Sequence, residues 1–189
     1  MKVISGTLKG RKILGYNIDG TRPTMDRVKE SIFALIQDNV KGSMVLDLFS
    51  GSGNYGIEAI SNYANLVYFN DYNKECCKVI KKNLETFDVL DKGIVLNLDY
   101  IKCLDLLKKQ NKKFDLVFLD PPYKLDVIDK IMSILEKNKL LNNNSYVIVE
   151  LVNDNLKEQY NSLVRIKKRV FGEKIIYVYK NIGERDEFE

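Results

Sequence analysis

Histidine is missing from all 189 residues. That absence excludes the commonest general base, the commonest zinc ligand and every Ser–His arrangement, so any chemistry falls to carboxylates, main-chain groups or a cofactor. Cysteine is scarce. Cys76, Cys77 and Cys103 have neither zinc-type spacing nor the even count of a disulfide framework, and read as free thiols of a reducing, cytoplasmic setting. Long apolar runs are also missing. No stretch nears the ~20 residues of a membrane span, and "MKVISGTLKGRK" lacks the apolar core of a signal peptide, so neither a membrane nor a metal is expected as partner. Charge of one sign does not dominate: the net charge is +4, with 30% charged and 45% hydrophobic residues, an ordinary globular balance. The length fits one domain, or one domain with a small appendage.

The chain then settles into a rhythm. "KVIS" and "RKILGY" read as two short strands of a hairpin around "GTLKG". "TRPTMDRVKESIFALIQ" reads as an amphipathic helix from about Thr24, with Val28, Ile32, Leu35 and Ile36 on its buried face. From Met44 onward, strands (44–49, 66–71, 93–99, 114–120, 144–152) alternate with helical patterns, which specifies a mostly parallel sheet with helices on both faces. "LVRIKKRVF" and "KIIYVYK" flank Gly172 and break the alternation as a final antiparallel pair. "KNKLLNNNS" reads as a solvated loop, and the polar tail after residue 181 as frayed.

Chemistry concentrates where strands end. Gly51, Gly53 and Gly56 form a G-x-G-x-x-G that follows the first core strand and opens a helix, with Asp71 about twenty residues further on. This is a nucleoside-binding pattern at the carboxyl edge of a doubly wound sheet. Asp47 stands four residues before Gly51. A carboxylate there would repel a pyrophosphate but suit the ammonium of S-adenosylmethionine, which carries no phosphate. Asp71 and Asp99 end the next two strands. One is placed to bind ribose hydroxyls and the other an adenine amine, although Asp99 suits a helix N-cap equally well.

The fourth strand ends in Asp120-Pro121-Pro122-Tyr123. Proline has no N–H, so the turn offers acceptors: the Asp120 carboxylate and a peptide carbonyl. Two acceptors match the two protons of an exocyclic aromatic amine and can turn its lone pair toward a sulfonium methyl. Tyr123 offers a face on which a base can stack. The prolines stiffen the arrangement. No histidine is required, because an aromatic amine becomes acidic once methylated.

"VISGTLKGRKI", "TRPTMDRVKESIF", "VLDLFSGSGNYGIEA" and "DPPY" together resemble the RsmD family of 16S ribosomal RNA guanine-N2-methyltransferases, over nearly the whole chain. The N-terminal block is the specific part; many methyltransferases share the glycine loop and the DPPY. The resemblance implies a Rossmann-like class I methyltransferase fold with a seven-stranded sheet. It also implies S-adenosylmethionine as cofactor, held by Asp47, Gly51, Ser52, Gly53, Asp71 and Asp99. Catalysis would fall to Asp120, Pro121, Pro122 and Tyr123. The substrate would be one guanine of small-subunit rRNA, free or in the assembling subunit, and the enzyme a monomer. Two departures stand out: Asp71 where the family commonly has Glu, and Tyr55, bulky enough to crowd the glycine loop.

Lys9, Arg11, Arg22 and Arg27 give the N-terminal block its charge. Residues 1–42 are therefore expected to be a hairpin-and-helix extension that meets the RNA backbone, attached to a catalytic core over 43–181. "RIKKR" (165–169) reads as a solvated face. An N6-adenine methyltransferase of DNA or RNA would use the same DPPY. A NAD-dependent oxidoreductase fits Asp47 poorly, and a non-enzymatic RNA-binding module would have no use for four acids at one sheet edge.

Overall fold

The computed structural model describes residues 1–15, 23–122, 127–153 and 155–183. In chain order it contains helix α1 (Pro23–Val40), strand β1 (Met44–Asp47), α2 (Asn54–Ser61), β2 (Leu66–Asn70), α3 (Lys74–Thr86) and β3 (Gly93–Leu96), then α4 (Tyr100–Lys109), β4 (Phe114–Leu119), α5 (Ile128–Lys137), β5 (Leu141–Leu151), β6 (Leu163–Phe171) and β7 (Lys174–Asn181). The strands form one seven-stranded sheet in the order β3-β2-β1-β4-β5-β7-β6. The first five run parallel, and β7 lies antiparallel between β5 and β6.

Strand periodicity divides the core in two. Successive side chains of a strand face opposite ways. Val45, Val67, Phe69, Leu116, Phe118 and Ile148 therefore pack on one face with α1, α2 and α3. Leu46, Tyr68, Val117, Leu119, Val147 and Val149 pack on the other with α4 and α5. Both faces are covered, which is why the strands read as continuous apolar runs. The parallel register brings the carboxyl ends of β1, β2 and β4 to one edge. No described helix is long and apolar enough to cross a membrane.

Several expectations need correction. Among the described residues the N-terminal segment pairs as a short hairpin, with one antiparallel bridge, Lys2 to Lys12, and Val3 N donating to the Arg11 carbonyl at 2.9 Å, rather than as two full strands. Nor is it an appendage. Val3, Leu8 and Ile13 are buried in the same apolar cluster as Val45, Phe69 and Leu116. Glu58 of α2 fastens it down: its carboxylate accepts from Ile4 N (3.0 Å), Ser5 N and Ser5 Oγ (both 2.9 Å), and from Lys29 Nζ of α1 at 2.9 Å. Lys29 and Glu58 are both fully buried, and Lys29 also donates to the Lys2 carbonyl at 2.7 Å. On α1, Phe33 takes the buried place expected of Leu35, which is 36% exposed. The stretch read as a solvated loop is half strand: Leu140 and Leu141 are buried, and β5 starts at Leu141, because the two leucines close the α5 face of the core.

Candidate active site

The loop after β1 turns on glycine. Gly51 and Gly53 have φ of +53° and +83°, in the left-handed region that side chains avoid. Gly56 faces the ring of Phe69 so closely that a Cβ would lie 2.1 Å from it. Two carboxylates hold the loop. Asp47 accepts from Gly56 N at 3.0 Å; Asp71 accepts from Gly51 N and from Asn73 N, each at 2.8 Å. The spacing of glycines and acids is thus explained first by backbone geometry.

A cavity of about 670 Å³ opens along this sheet edge. Gly51, Asp71, Asp99, Asp120, Pro121 and Pro122 line it, together with Phe49, Asn70, Tyr72, Asn73, Leu98 and Tyr100. The rings of Phe49 and Tyr100 lie 5.9 Å apart, tilted by 42°. Asp99 is the N-cap of α4, accepting from Ile101 N at 2.9 Å, and it also lines the cavity, so capping does not withdraw it from the cavity wall. The volume, the apolar walls and the carboxylates fit a nucleoside with hydroxyls and an amine to satisfy. Nothing lies within 4 Å of where a Cβ on Gly51 would sit, so a ligand can approach the backbone there.

Not every expected ligand reaches this cavity. Asp47, Ser52 and Gly53 are absent from its lining among the described residues. Asp47 is only 2% exposed and serves the loop from behind. Burial, opposed by the Gly56 N–H and reinforced by Asp71, pushes its carboxyl up to about 7. Gly53 is the N-cap of α2, and the Ser52 carbonyl accepts from Asn83 Nδ2 at 3.1 Å. Tyr55 does not crowd the loop. It lies beneath it, stacked on Phe118 with centroids 5.1 Å apart and rings 3° from parallel. Tyr123 and Arg22 lie outside the described residues.

Asp120 sits where β4 ends, and its carboxyl is held well above the usual carboxylate range, chiefly by burial and then by repulsion from Glu150, while Lys174 acts in the opposite sense. Glu150 closes the run "YVIVE" at the end of β5. It is a fifth acid in the same pattern as Asp47, Asp71, Asp99 and Asp120, legible by the same rule but missed. Leu98 and Tyr100 were legible as neighbours of Asp99. Lys174 gave no sequence signal.

Of the basic residues, Lys9 and Arg27 are exposed and line a groove of about 580 Å³ between the N-terminal segment and α1. Arg11 is committed elsewhere: its Nη2 donates to the Thr86 carbonyl at 2.6 Å and its guanidinium lies 4.6 Å over the Phe87 ring. It bolts the segment to the end of α3. Within "RIKKR", Arg165 pairs with Glu158 at 2.8 Å. Cys76, Cys77 and Cys103 are free and buried; burial pushes the Cys103 thiol up to about 12, as packing residues require. Among the described residues no group of His, Cys, Asp or Glu could hold a metal.

A glycine turn and strand-ending acids around one cavity, on a sheet of order β3-β2-β1-β4-β5-β7-β6, define a Rossmann-like methyltransferase. Known proteins narrow the class. The family described as Conserved hypothetical protein 95 matches over residues 1–180, and the chain belongs to it. The Ribosomal RNA small subunit methyltransferase D of Buchnera aphidicola (Acyrthosiphon pisum strain) is 38% identical over 149 residues, 78% of this chain and 76% of that protein. That of Haemophilus influenzae is 38% identical over 157 residues, 82% and 80% of the two chains. The crystal structure of H. influenzae HI0767 superposes with a TM-score of 0.80 at 32% identity, covering 96% of this chain and 98% of that one.

Proposed function

We propose that this enzyme transfers a methyl group from S-adenosylmethionine to the exocyclic N2 amine of a guanine in small-subunit ribosomal RNA. One observation carries the reading: the Asp120-Pro121-Pro122 turn shares a single cavity with Asp71, Asp99 and Gly51. The names of the relatives support the substrate class.

When bound, S-adenosylmethionine supplies a methyl group on a positively charged sulfur. Asp71 and Asp99 orient its nucleoside by accepting from ribose hydroxyls and the adenine amine, with Phe49, Leu98 and Tyr100 as apolar walls. Asp47 acts at one remove, keeping the Gly51–Gly56 turn closed. Asp120 accepts a hydrogen bond from the guanine amine, and the rigid prolines fix the angle at which the nitrogen lone pair approaches the methyl carbon. Tyr123 is assigned the stacking face for the base. The nitrogen gains the methyl and then releases a proton, which needs no imidazole. Lys9 and Arg27 meet the RNA backbone, so the segment over residues 1–15 and helix α1 both join the core and form the RNA-facing surface. One chain carries all of these groups, and the enzyme works as a monomer.

The test is methylation of small-subunit rRNA by the pure protein, followed by nucleoside analysis. N2-methylguanosine is expected. N6-methyladenosine would favour the adenine alternative, and no incorporation into free rRNA or assembling subunits would overturn the reading.

A further inference from the structure

Beneath the Asp120 turn lies a polar cluster that the reaction as described does not use. The parallel register of β4 and β5 pairs Leu119 with Val149, so Asp120 and Glu150 are the next neighbours at the catalytic edge. Glu150 is 1% exposed and accepts from two partners, the buried Tyr55 hydroxyl and Nζ of the half-buried Lys174. Tyr55 arrives from α2 directly behind the glycine loop, and its ring is clamped on Phe118, two residues before Asp120. Lys174 opens β7, which runs antiparallel to β5, and its Nζ also lies 2.8 Å from Met25 Sδ of α1.

Four elements surround Asp120. Asp47 faces it from β1, Glu150 from β5, Tyr55 from α2 and Lys174 from β7; Asp71 and Asp99 stand along the same cavity. Among the described residues, three carboxylates and one ammonium thus share this largely buried corner. Like charges so close cannot all ionise freely, and the Lys174 cation favours their ionised forms.

We infer that Glu150 and Lys174 are positioning residues for the methyl transfer, a pair of opposite charge beside the turn that governs whether Asp120 is ionised when the amine arrives. The inference rests on the methyltransferase reading of Asp120 given above. Its chemistry balances. The N2–methyl bond forms while the sulfur–methyl bond breaks, the electron pair of the latter staying on sulfur. The methylated nitrogen then gives its extra proton to the ionised Asp120 carboxylate, which passes it to water. A protonated Asp120 would point a hydroxyl at the amine and could take no proton. Lys174 favours the ionised form and Glu150 opposes it, so their removal acts in opposite directions.

The test is single-turnover methyl transfer to small-subunit rRNA from pH 5 to 9, with cofactor and RNA saturating. The rate should fall on the acid side as Asp120 protonates. Lys174→Met should move that acid limb to higher pH by about one unit or more, and Lys174→Arg should restore it. Glu150→Gln should move it to lower pH. These changes should fall on kcat rather than on the KM for RNA. A loss of packing alone would lower rates without moving the two limbs apart. Should Lys174→Met not fold, the sign of the Glu150→Gln shift decides alone. Limbs that stay fixed, or that move the same way, overturn the inference. Wild-type protein that methylates no RNA overturns the substrate reading instead, so the two failures are distinct.

Discussion

Removing the Glu58 carboxylate should loosen the N-terminal segment more than any change on the protein surface. In Glu58→Ala, Lys29 is left charged with no carboxylate in a fully buried place, and the amides of Ile4 and Ser5 lose their acceptor. Breaking a buried ion pair from one side typically costs about 3–5 kcal/mol, against a whole-domain stability of about 5–15 kcal/mol. The double variant Lys29→Met with Glu58→Leu removes both charges, leaving chiefly the unsatisfied amides, at about 1–3 kcal/mol each when buried. It should therefore be more stable than Glu58→Ala despite carrying one more substitution. Urea unfolding followed by circular dichroism measures both, and limited proteolysis between Gly6 and Gly10 reports on the segment directly. A loss below about 1 kcal/mol for Glu58→Ala, or a double variant no better than the single, would refute the idea that this pair ties residues 1–15 into the core.

Four further outcomes are expected. Asp71→Ala should weaken S-adenosylmethionine binding roughly tenfold or more, since a hydrogen bond to a charged group is worth about 1.5–3 kcal/mol and Gly51 N loses its acceptor as well; calorimetry decides, and unchanged affinity would sink the assignment. Asp120→Ala should keep the cofactor bound but lower kcat by about 10²–10³, while Asp120→Asn, which still offers a hydrogen-bond acceptor but leaves the proton to water, retains measurable turnover below the wild-type rate and without its acid limb; wild-type rates in the alanine variant would mean the turn is only a turn. In RNA-binding assays, Arg27→Ala or Lys9→Ala should flatten the slope of log affinity against log salt by about 0.7–0.9 for each phosphate no longer neutralised, whereas Arg11→Ala should leave the slope alone and lower the unfolding midpoint, because that guanidinium is spent on Thr86 and Phe87. Asp47 is held up to about 7 in the fold from an ordinary 3.8, so the native state keeps a proton that the unfolded chain releases between those values. Stability should fall as pH rises through that window and level off above it, and Asp47→Asn should flatten the fall, whose ceiling is on the order of 4 kcal/mol; an unchanged pH profile would contradict it.

Much of the catalytic edge was legible because it obeys rules of local sequence. A strand in a covered parallel sheet is apolar throughout, so an acid that ends one stands out, and glycine is forced wherever φ turns positive. Asp71, Asp99 and Asp120 could be placed on the cavity for that reason. What a carboxylate faces was not legible. Asp47 looks like Asp71 in the sequence, and both brace the glycine loop, yet Asp47 is buried behind it while Asp71 also lines the cavity. Arg11 looked like Arg27 for a similar reason: only the fold reveals that Phe87 waits beneath its guanidinium. Lys174 and Tyr55 meet Glu150 from elements more than twenty residues away in each direction, a distance over which no periodicity reaches. The N-terminal block misled as an appendage because its apolar residues, Val3, Leu8 and Ile13, are too widely spaced to signal burial.

The end of the sheet beyond β7 poses a problem of a different kind. β6 is the last strand in the order. Its start is met by the preceding segment, through a Gln159–Val164 bridge and an Arg165 N–H donated to the Glu158 carbonyl; further along, among the described residues, its outer side faces no partner strand, a template onto which a second chain could add. The positive residues there act as guards. Lys167, Lys168 and Arg169 occupy successive exposed positions, and the register with β7 slips at Ile166, where a bulge twists the rim. Cationic side chains and a bulge are the devices by which edge strands discourage pairing with copies of themselves. A chain with apolar residues in place of Lys167 and Lys168 would keep its active site and lose its reluctance to aggregate. On this view the cations of β6 do their work at the rim of the sheet, keeping each molecule from pairing with the next.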